Sequence, residues 1–143
     1  MVFPDQLPDP TVLTPWLTSL GYEVQGAESL AGDVSPRKYY RLDLGEEETA
    51  ILACYPSQIR DACTRFIATA GLLQGVSVPV PAILGSNCVA GFMLLEDLGT
   101  VTLYDRQGES WDSLAPYFEE SIALWYRIRS LPLESVRDLN PAL

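Results

Sequence analysis

The spacing of hydrophobic residues changes along the chain, and each change predicts a new element. Residues 9–21 carry apolar side chains at helical spacing, which predicts a first helix ended by Gly21. Apolar and polar residues alternate over 39–44, which predicts a strand with one buried face. A turn-rich stretch, 31–36, leads back to a short strand at 28–30. A turn at 45–47 leads on to a strand at 49–55.

A second group of elements follows Pro56, which ends the third strand. Ser57 is a candidate cap for a helix that closes at Gly75 and carries one apolar stripe, formed by Ile59, Ala62, Cys63, Phe66, Ile67, Ala70 and Leu73. Short strands are predicted at 82–84 and 92–95, with a turn through 85–87 between them. Residues 100–111 are polar and irregular, and a last helix is predicted at 112–130.

Composition and charge exclude several functions. The 143 residues are 48% hydrophobic, which suits one globular domain. The net charge of −10 repels phosphodiester backbones and anionic lipid surfaces, so nucleic-acid and membrane partners are not expected. The chain has no apolar run long enough for a membrane helix and no secretory signal at its start, and we expect it to be cytoplasmic.

The absence of histidine narrows the chemistry further. It removes Ser-His-Asp and Cys-His catalysis and most zinc enzymes. Three widely spaced cysteines, an odd number, favour buried thiols in a reduced compartment over a disulfide framework. Polar chemistry is left to Asp, Glu, Ser, Thr, Arg and the single lysine, Lys38.

The order of elements resembles a known architecture. Three strands, a helix, two strands and a linker resemble the N-terminal lobe of the kinase-like fold. The stretches 31–42, 75–81 and 91–99 resemble the aminoglycoside phosphotransferase family, and within it the bacterial kinases that phosphorylate N-acetylmuramate and N-acetylglucosamine at the anomeric hydroxyl. The resemblance covers roughly residues 10–130.

This resemblance implies an α+β fold. The expected fold is a kinase-like N-terminal lobe, with a mainly antiparallel sheet of about five strands and one packed helix, over residues 1–99. Residues 100–143 would form a linker and the first helix of a truncated C-terminal lobe. The implied activity is phosphorylation of a sugar or related alcohol, with ATP or GTP as donor and Mg²⁺ as cofactor.

The resemblance also implies where the nucleotide binds. The loop over the phosphates would contain Gly32, Asp33, Ser35, Arg37 and Lys38, with exposed N–H groups and two cations as the attractive groups. The main chain at Glu96 and Leu98 would read the base, and Ile51, Leu52 and Leu95 would line an apolar slot. Each stretch also has a plain structural interpretation: a solvated hairpin turn, a strand-end turn and ordinary core.

Two departures from the family pattern limit what this chain can do. The strand at 49–55 has no lysine to hold the donor phosphates, and Phe66 stands where the helix would supply the paired glutamate. The chain also lacks the His-Gly-Asp segment that orients the acceptor hydroxyl in the family. We therefore assign no catalytic and no metal-binding residue, and we expect this chain alone to be inactive.

Two other hypotheses remain. The chain could be a non-catalytic interaction module that keeps the lobe's fold, with self-association through the apolar face of the 112–130 helix. A stand-alone enzyme using Glu96 and Asp97 as paired carboxylates is disfavoured, because adjacent residues on a strand point in opposite directions.

Overall fold

The computed structural model describes residues 7–30 and 35–139. These residues form an α+β structure with a five-stranded sheet of order β1-β2-β3-β5-β4. In chain order, the elements are α1 (Pro10–Ser19), β1 (Gly26–Ser29), β2 (Lys38–Gly45), β3 (Glu48–Cys54), α2 (Asp61–Gly75), β4 (Ile83–Asn87), β5 (Phe92–Glu96), α3 (Trp111–Arg129) and α4 (Leu133–Leu139).

Every pairing among the described strands is antiparallel. β2 and β3 form a hairpin whose two turn residues, Glu46 and Glu47, both have positive φ, which matches the twist of the strands. β3 then pairs with β5 on its other side. The α+β class and the antiparallel sheet are confirmed, and the arrangement is compatible with the N-terminal lobe of a kinase-like fold.

One face of the sheet packs against α1, and we call it the α1 face. Trp16 of α1 stacks on Phe92 of β5, with ring centroids 6.0 Å apart. Because side chains alternate along a strand, only every second residue contributes to this layer. Its buried side chains include Leu13, Leu17, Tyr40, Leu42, Ala50, Leu52, Cys54, Phe92 and Leu94.

The opposite face packs against the first part of α2, and we call it the α2 face. Its buried core consists of Ala53, Tyr55, Cys63, Met93 and Leu95. Ile59, Ala62 and Phe66 pack around that core from the α2 side. The second predicted helix therefore has the packing role that its apolar stripe indicates, although it begins differently. Ser57 opens a short 3-10 turn, Ser57–Ile59, and makes no side-chain cap.

In the second half of the chain one prediction is wrong and one helix was not predicted. β4 continues to Asn87, and the turn lies at residues 88–91 instead of 85–87. Gly85 lies within this strand and packs next to the Leu20 side chain, whose terminal methyl group would have to move to admit a Cβ atom there. The short helix α4 was not predicted, because seven residues are too few for a clear helical period.

The expectation of three free thiols is also wrong. Cys63 at the start of α2 and Cys88 after β4 form a disulfide, with their Cα atoms 5.5 Å apart. They are 25 positions apart, and the segment between them includes most of α2, so sequence spacing gave no sign of the contact. Cys54 is the free cysteine among the described residues and is buried.

We expect alkylation to count these thiols directly. The denatured, unreduced chain should react at Cys54 alone, and the denatured, reduced chain at three cysteines. In the native state Cys54 should react very slowly, because burial raises the pKa of its thiol to about 12 and only the thiolate is nucleophilic. Mass spectrometry gives the count; three modified cysteines without reductant would show that the disulfide is absent.

The described residues divide into two compact units. The first contains the described residues up to 67 together with 81–97, and so holds α1, the sheet and the start of α2. The second contains 68–80 and the described residues from 98 onward. In the second unit, Ser110 caps α3 by accepting a hydrogen bond from the Ser113 N–H, and Arg127 donates to the Ser77 carbonyl at 2.8 Å. No helix in the described ranges has the length and apolar character needed to cross a bilayer.

Candidate functional site

A polar cluster lies on the α2 face, where β5 ends. Arg41 of β2 donates from Nε to the Asp97 carboxylate at 2.6 Å and from Nη2 at 3.3 Å. Thr49 of β3 donates from Oγ1 to the same carboxylate at 2.9 Å. We call these three residues the Arg41 cluster. It joins two strands to the residue that follows a third, across 56 positions of sequence.

The Arg41 cluster is partly shielded from water, and Thr49 is its exposed member. The side chains of Arg41 and Asp97 are 20% and 7% exposed. The hydrogen bond that Arg41 donates to Asp97 raises the pKa of Arg41, burial opposes that rise, and the negative charges of Asp97 and Glu28 add to it. The guanidinium is therefore a fixed cation held in one plane by a two-point contact.

A cavity of about 300 Å³ opens beside this cluster. Two of its lining residues, Arg41 and Thr49, belong to the cluster, and Glu28 and Asp43 add two carboxylates. Gly26 and Ala27 of β1 complete the lining. The volume is at the lower end of the range for small-molecule sites.

A second cation lies further along the same face. The Arg37 guanidinium carbon lies 6.0 Å from the ring centroid of Tyr39 and 5.8 Å from that of Tyr55. The Arg37 side chain also donates to the Ser35 hydroxyl at 3.3 Å. Tyr55 is 3% exposed, and burial raises its pKa while Arg37 acts in the opposite direction. The two aromatic rings hold a positive charge near the start of β2.

Arg37 and Lys38 both line a cavity of about 370 Å³ at the start of β2, together with Ser35, although the other contacts of their side chains lie on opposite faces of the sheet. Arg37 is on the α2 face with Tyr39 and Arg41, because these residues alternate along the strand direction. Lys38 pairs in register with Cys54 and lines a separate cavity with it on the α1 face. The charge of Lys38 lowers the pKa of Cys54 against the larger effect of burial.

The structure distributes the remaining predicted residues widely. Gly32 and Asp33 lie outside the described residues. Ile51 and Leu95 are on the α2 face, where Leu95 is buried and Ile51 partly buried in the core. Leu52 is fully buried on the α1 face, so it cannot line a slot with the other two.

The residues of the predicted base-reading segment, 96–98, differ in their contacts. Glu96 interacts with Ala82 twice: its N–H donates to the Ala82 carbonyl, and its carboxylate accepts from the Ala82 N–H, each at 2.9 Å. Leu98 belongs to the second unit and is 70% exposed. The carboxylates of Glu96 and Asp97 thus have separate partners, which argues against a paired-carboxylate enzyme.

The departures noted in the sequence have structural counterparts. On the α2 face, β3 presents Thr49, Ile51 and Ala53, and none of them carries a charge. Phe66 packs against the core at that face. The positive charge on this face therefore comes from β2 and the residue before it, through Arg41 and Arg37.

Reasoning from sequence missed Tyr39, Tyr55 and the Arg41 cluster as site residues. The alternation of Arg37, Tyr39 and Arg41 was a usable signal, since it places two cations and an aromatic ring on one face of one strand. Nothing in the sequence links Arg41 to Asp97. Within the described ranges, no group of three or more Cys, Asp or Glu side chains is arranged to hold a metal ion.

Comparison with known proteins gives sequence relatives of one kind. No protein-family model matches the chain. The N-acetylmuramate/N-acetylglucosamine kinase of Pseudomonas aeruginosa is 39% identical over 105 residues, which cover 71% of this chain and 30% of that protein. The kinase of the same name from Caulobacter vibrioides is 28% identical over 146 residues, covering 85% of this chain and 40% of that protein.

A third relative agrees with these two. The kinase of the same name from Pseudomonas putida is 31% identical over 106 residues, which cover 73% of this chain and 30% of that protein. The chain is therefore related in sequence to sugar kinases, and it spans between 30% and 40% of the length of these relatives.

Proposed function

We propose that this chain is the nucleotide-binding lobe of a cytoplasmic, ATP-dependent sugar kinase of the aminoglycoside phosphotransferase type, with GTP as an alternative donor. The observation that carries the proposal is the pair Arg37 and Arg41 on one face of β2. Four residues of extended chain separate them by about 13 Å. That length is comparable to an extended nucleoside triphosphate.

The charges along the α2 face determine which end of the proposed site would bind the base and which would bind the phosphates. Glu28 and Asp43 line the cavity at the Arg41 end and would repel phosphate groups. Ser35, Arg37 and Lys38 at the other end line a cavity of about 370 Å³, and none of the described residues that line it carries a carboxylate. The base is therefore assigned to the Arg41 end, near Ile51, Leu95 and the main chain at Glu96. The phosphates are assigned to the Arg37 end; that Gly32 and Asp33 bind phosphate and that the Leu98 main chain reads the base remain predictions from the sequence.

Phosphoryl transfer requires a metal ion and side chains that orient the acceptor hydroxyl, and we assign no such side chain to this chain. Mg²⁺ bound to a nucleotide takes most of its ligands from phosphates and water and supplies charge neutralisation. The acceptor is proposed to be a small sugar of the class named for the relatives, oriented by a part of a longer kinase that this chain does not represent. We therefore propose nucleotide binding without turnover for this chain alone.

Calorimetric titration with Mg-ATP tests this proposal. We expect one site with a dissociation constant in the micromolar to millimolar range and no release of ADP in the presence of N-acetylmuramate or N-acetylglucosamine. Absence of binding at millimolar Mg-ATP would contradict the proposal. Turnover by the isolated chain would contradict the absence of catalytic residues.

A second function is favoured by α3. This helix exposes Phe118, Ile122 and Trp125 on one side, with 45%, 57% and 51% of each side chain accessible. Its first half is acidic and its end is basic, with Arg127 and Arg129 in the last turn. Two copies packed antiparallel would bring opposite charges together along this apolar face, so we propose self-association through α3.

Light scattering checks this proposal. We expect concentration-dependent dimers, because association would cover the exposed apolar side of α3. Ile122→Glu should give monomers, whereas Ala123→Glu, on the other side of α3, should not. A strictly monomeric wild type at high concentration would refute the interface.

A further inference from the structure

The Arg41 cluster uses three side chains in one partly buried set of hydrogen bonds whose net value to folding is small. A buried ion pair loses in desolvation much of what it gains in attraction, so its presence is weak evidence of a role in stability. The contact fixes the position and the plane of the Arg41 guanidinium. Asp97 accepts two bonds from one edge of the Arg41 guanidinium, and Thr49 braces Asp97 from β3.

The position of the Arg41 guanidinium also limits the kind of ligand that it can bind. Arg41 lines the cavity at the end assigned to the base, and the neighbouring Glu28 and Asp43 exclude an anion from that end. A cation that borders a cavity unsuited to phosphate needs an uncharged, flat ligand if it is to contribute binding. A guanidinium plane stacks well on an aromatic ring, and nucleic-acid-binding proteins use it in that way for bases.

We infer that Arg41, held flat by Asp97 and Thr49, is the stacking platform for the nucleotide's purine base. This inference rests on the proposed function and deepens it, since it names a residue that sets affinity for the base. The platform replaces part of the apolar slot expected at Ile51 and Leu95, where Leu95 is buried in the core. Asp97 and Thr49 act through Arg41 and are positioning residues.

Comparing Mg-ATP with Mg-tripolyphosphate, which has no base, separates stacking from phosphate binding. Arg41→Lys keeps the charge and loses the plane, so it should weaken Mg-ATP binding about tenfold, as loss of one base-stacking contact does. Tripolyphosphate binding should change less than twofold. Arg65→Lys, on an exposed α2 pair with Asp61, is the matched control and should leave both affinities unchanged.

A second variant, Thr49→Val, tests the inference if Arg41→Lys does not fold. Thr49→Val is nearly isosteric, removes the hydrogen bond to Asp97 and leaves Arg41 in place, so it should weaken Mg-ATP binding about threefold, the effect of one ordinary hydrogen bond, and again spare tripolyphosphate. A folded Arg41→Lys chain with wild-type ATP affinity, or an equal loss for both ligands, would overturn the inference. If Arg41→Lys does not fold, unchanged ATP affinity in Thr49→Val overturns it. If the wild type binds neither ligand, the proposed function itself fails.

Discussion

Replacing Asp97 with alanine is expected to lower the free energy of unfolding by about 2 kcal/mol, because it leaves the partly buried Arg41 guanidinium without its carboxylate. The loss exceeds the modest net value of the pair, since the penalty is that of an uncompensated charge. Thr49 would also lose its acceptor on Asp97. Urea denaturation followed by tryptophan fluorescence measures the change.

The chain contains a matched control for this prediction. Asp61 and Arg65 form a second Asp–Arg pair, at 3.1 Å on α2, with side chains 71% and 50% exposed. Asp61→Ala should therefore cost about 0.5 kcal/mol or less. Equal losses in the two variants would mean that the Arg41 cluster is not shielded as described.

Replacing Arg37 with methionine is expected to weaken Mg-ATP binding by tenfold or more, about the value of one hydrogen bond to a charged group. Methionine retains much of the length that packs between Tyr39 and Tyr55 and removes only the charge. The same variant should weaken tripolyphosphate binding equally, because the contact is with phosphate. Calorimetric titration of both ligands measures the two losses.

The neighbouring residue gives the sharpest comparison. Lys38→Met removes the same charge one position further along, from a side chain that lines the cavity shared with Ser35 and Arg37 and also a second cavity beside Cys54. Its loss should be smaller, about twofold to threefold, because the α2-face cation is Arg37 and solvent screens the charge of Lys38. A larger loss for Lys38→Met than for Arg37→Met would indicate that the phosphates bind on the α1 side of β2, and would contradict their assignment to the α2 face.

Much of the fold was predictable because it depends on local periodicity. The alternation over 39–44 and the apolar stripe of α2 each specify an element and the face it buries, and both elements are confirmed. β4 was mistaken because Gly85 looked like a turn residue. In the structure Gly85 lies within β4 and packs next to the side chain of Leu20, a contact that no local pattern reveals.

The site was less predictable because its parts meet only after the sheet forms. Arg37 and Ser35 were identified from a loop motif, but which of Arg37 and Lys38 faces the α2 side depends on strand register, and a shift of one residue would exchange them. The Arg41–Asp97 contact and the Cys63–Cys88 disulfide each join distant segments. Such pairings follow from topology, and the sequence contains no local trace of them.

The measurement that tests the central claim most directly is a titration of the isotopically labelled chain with Mn²⁺-ATP, followed by NMR. The paramagnetic ion travels with the phosphates and broadens the signals of nearby nuclei. We predict strong broadening at Ser35 and Arg37, weaker broadening at Arg41 and Asp97, and none at Leu13 and Leu17 of α1. Broadening centred on α1, or none at saturating nucleotide, would contradict a triphosphate lying along β2 on the α2 face.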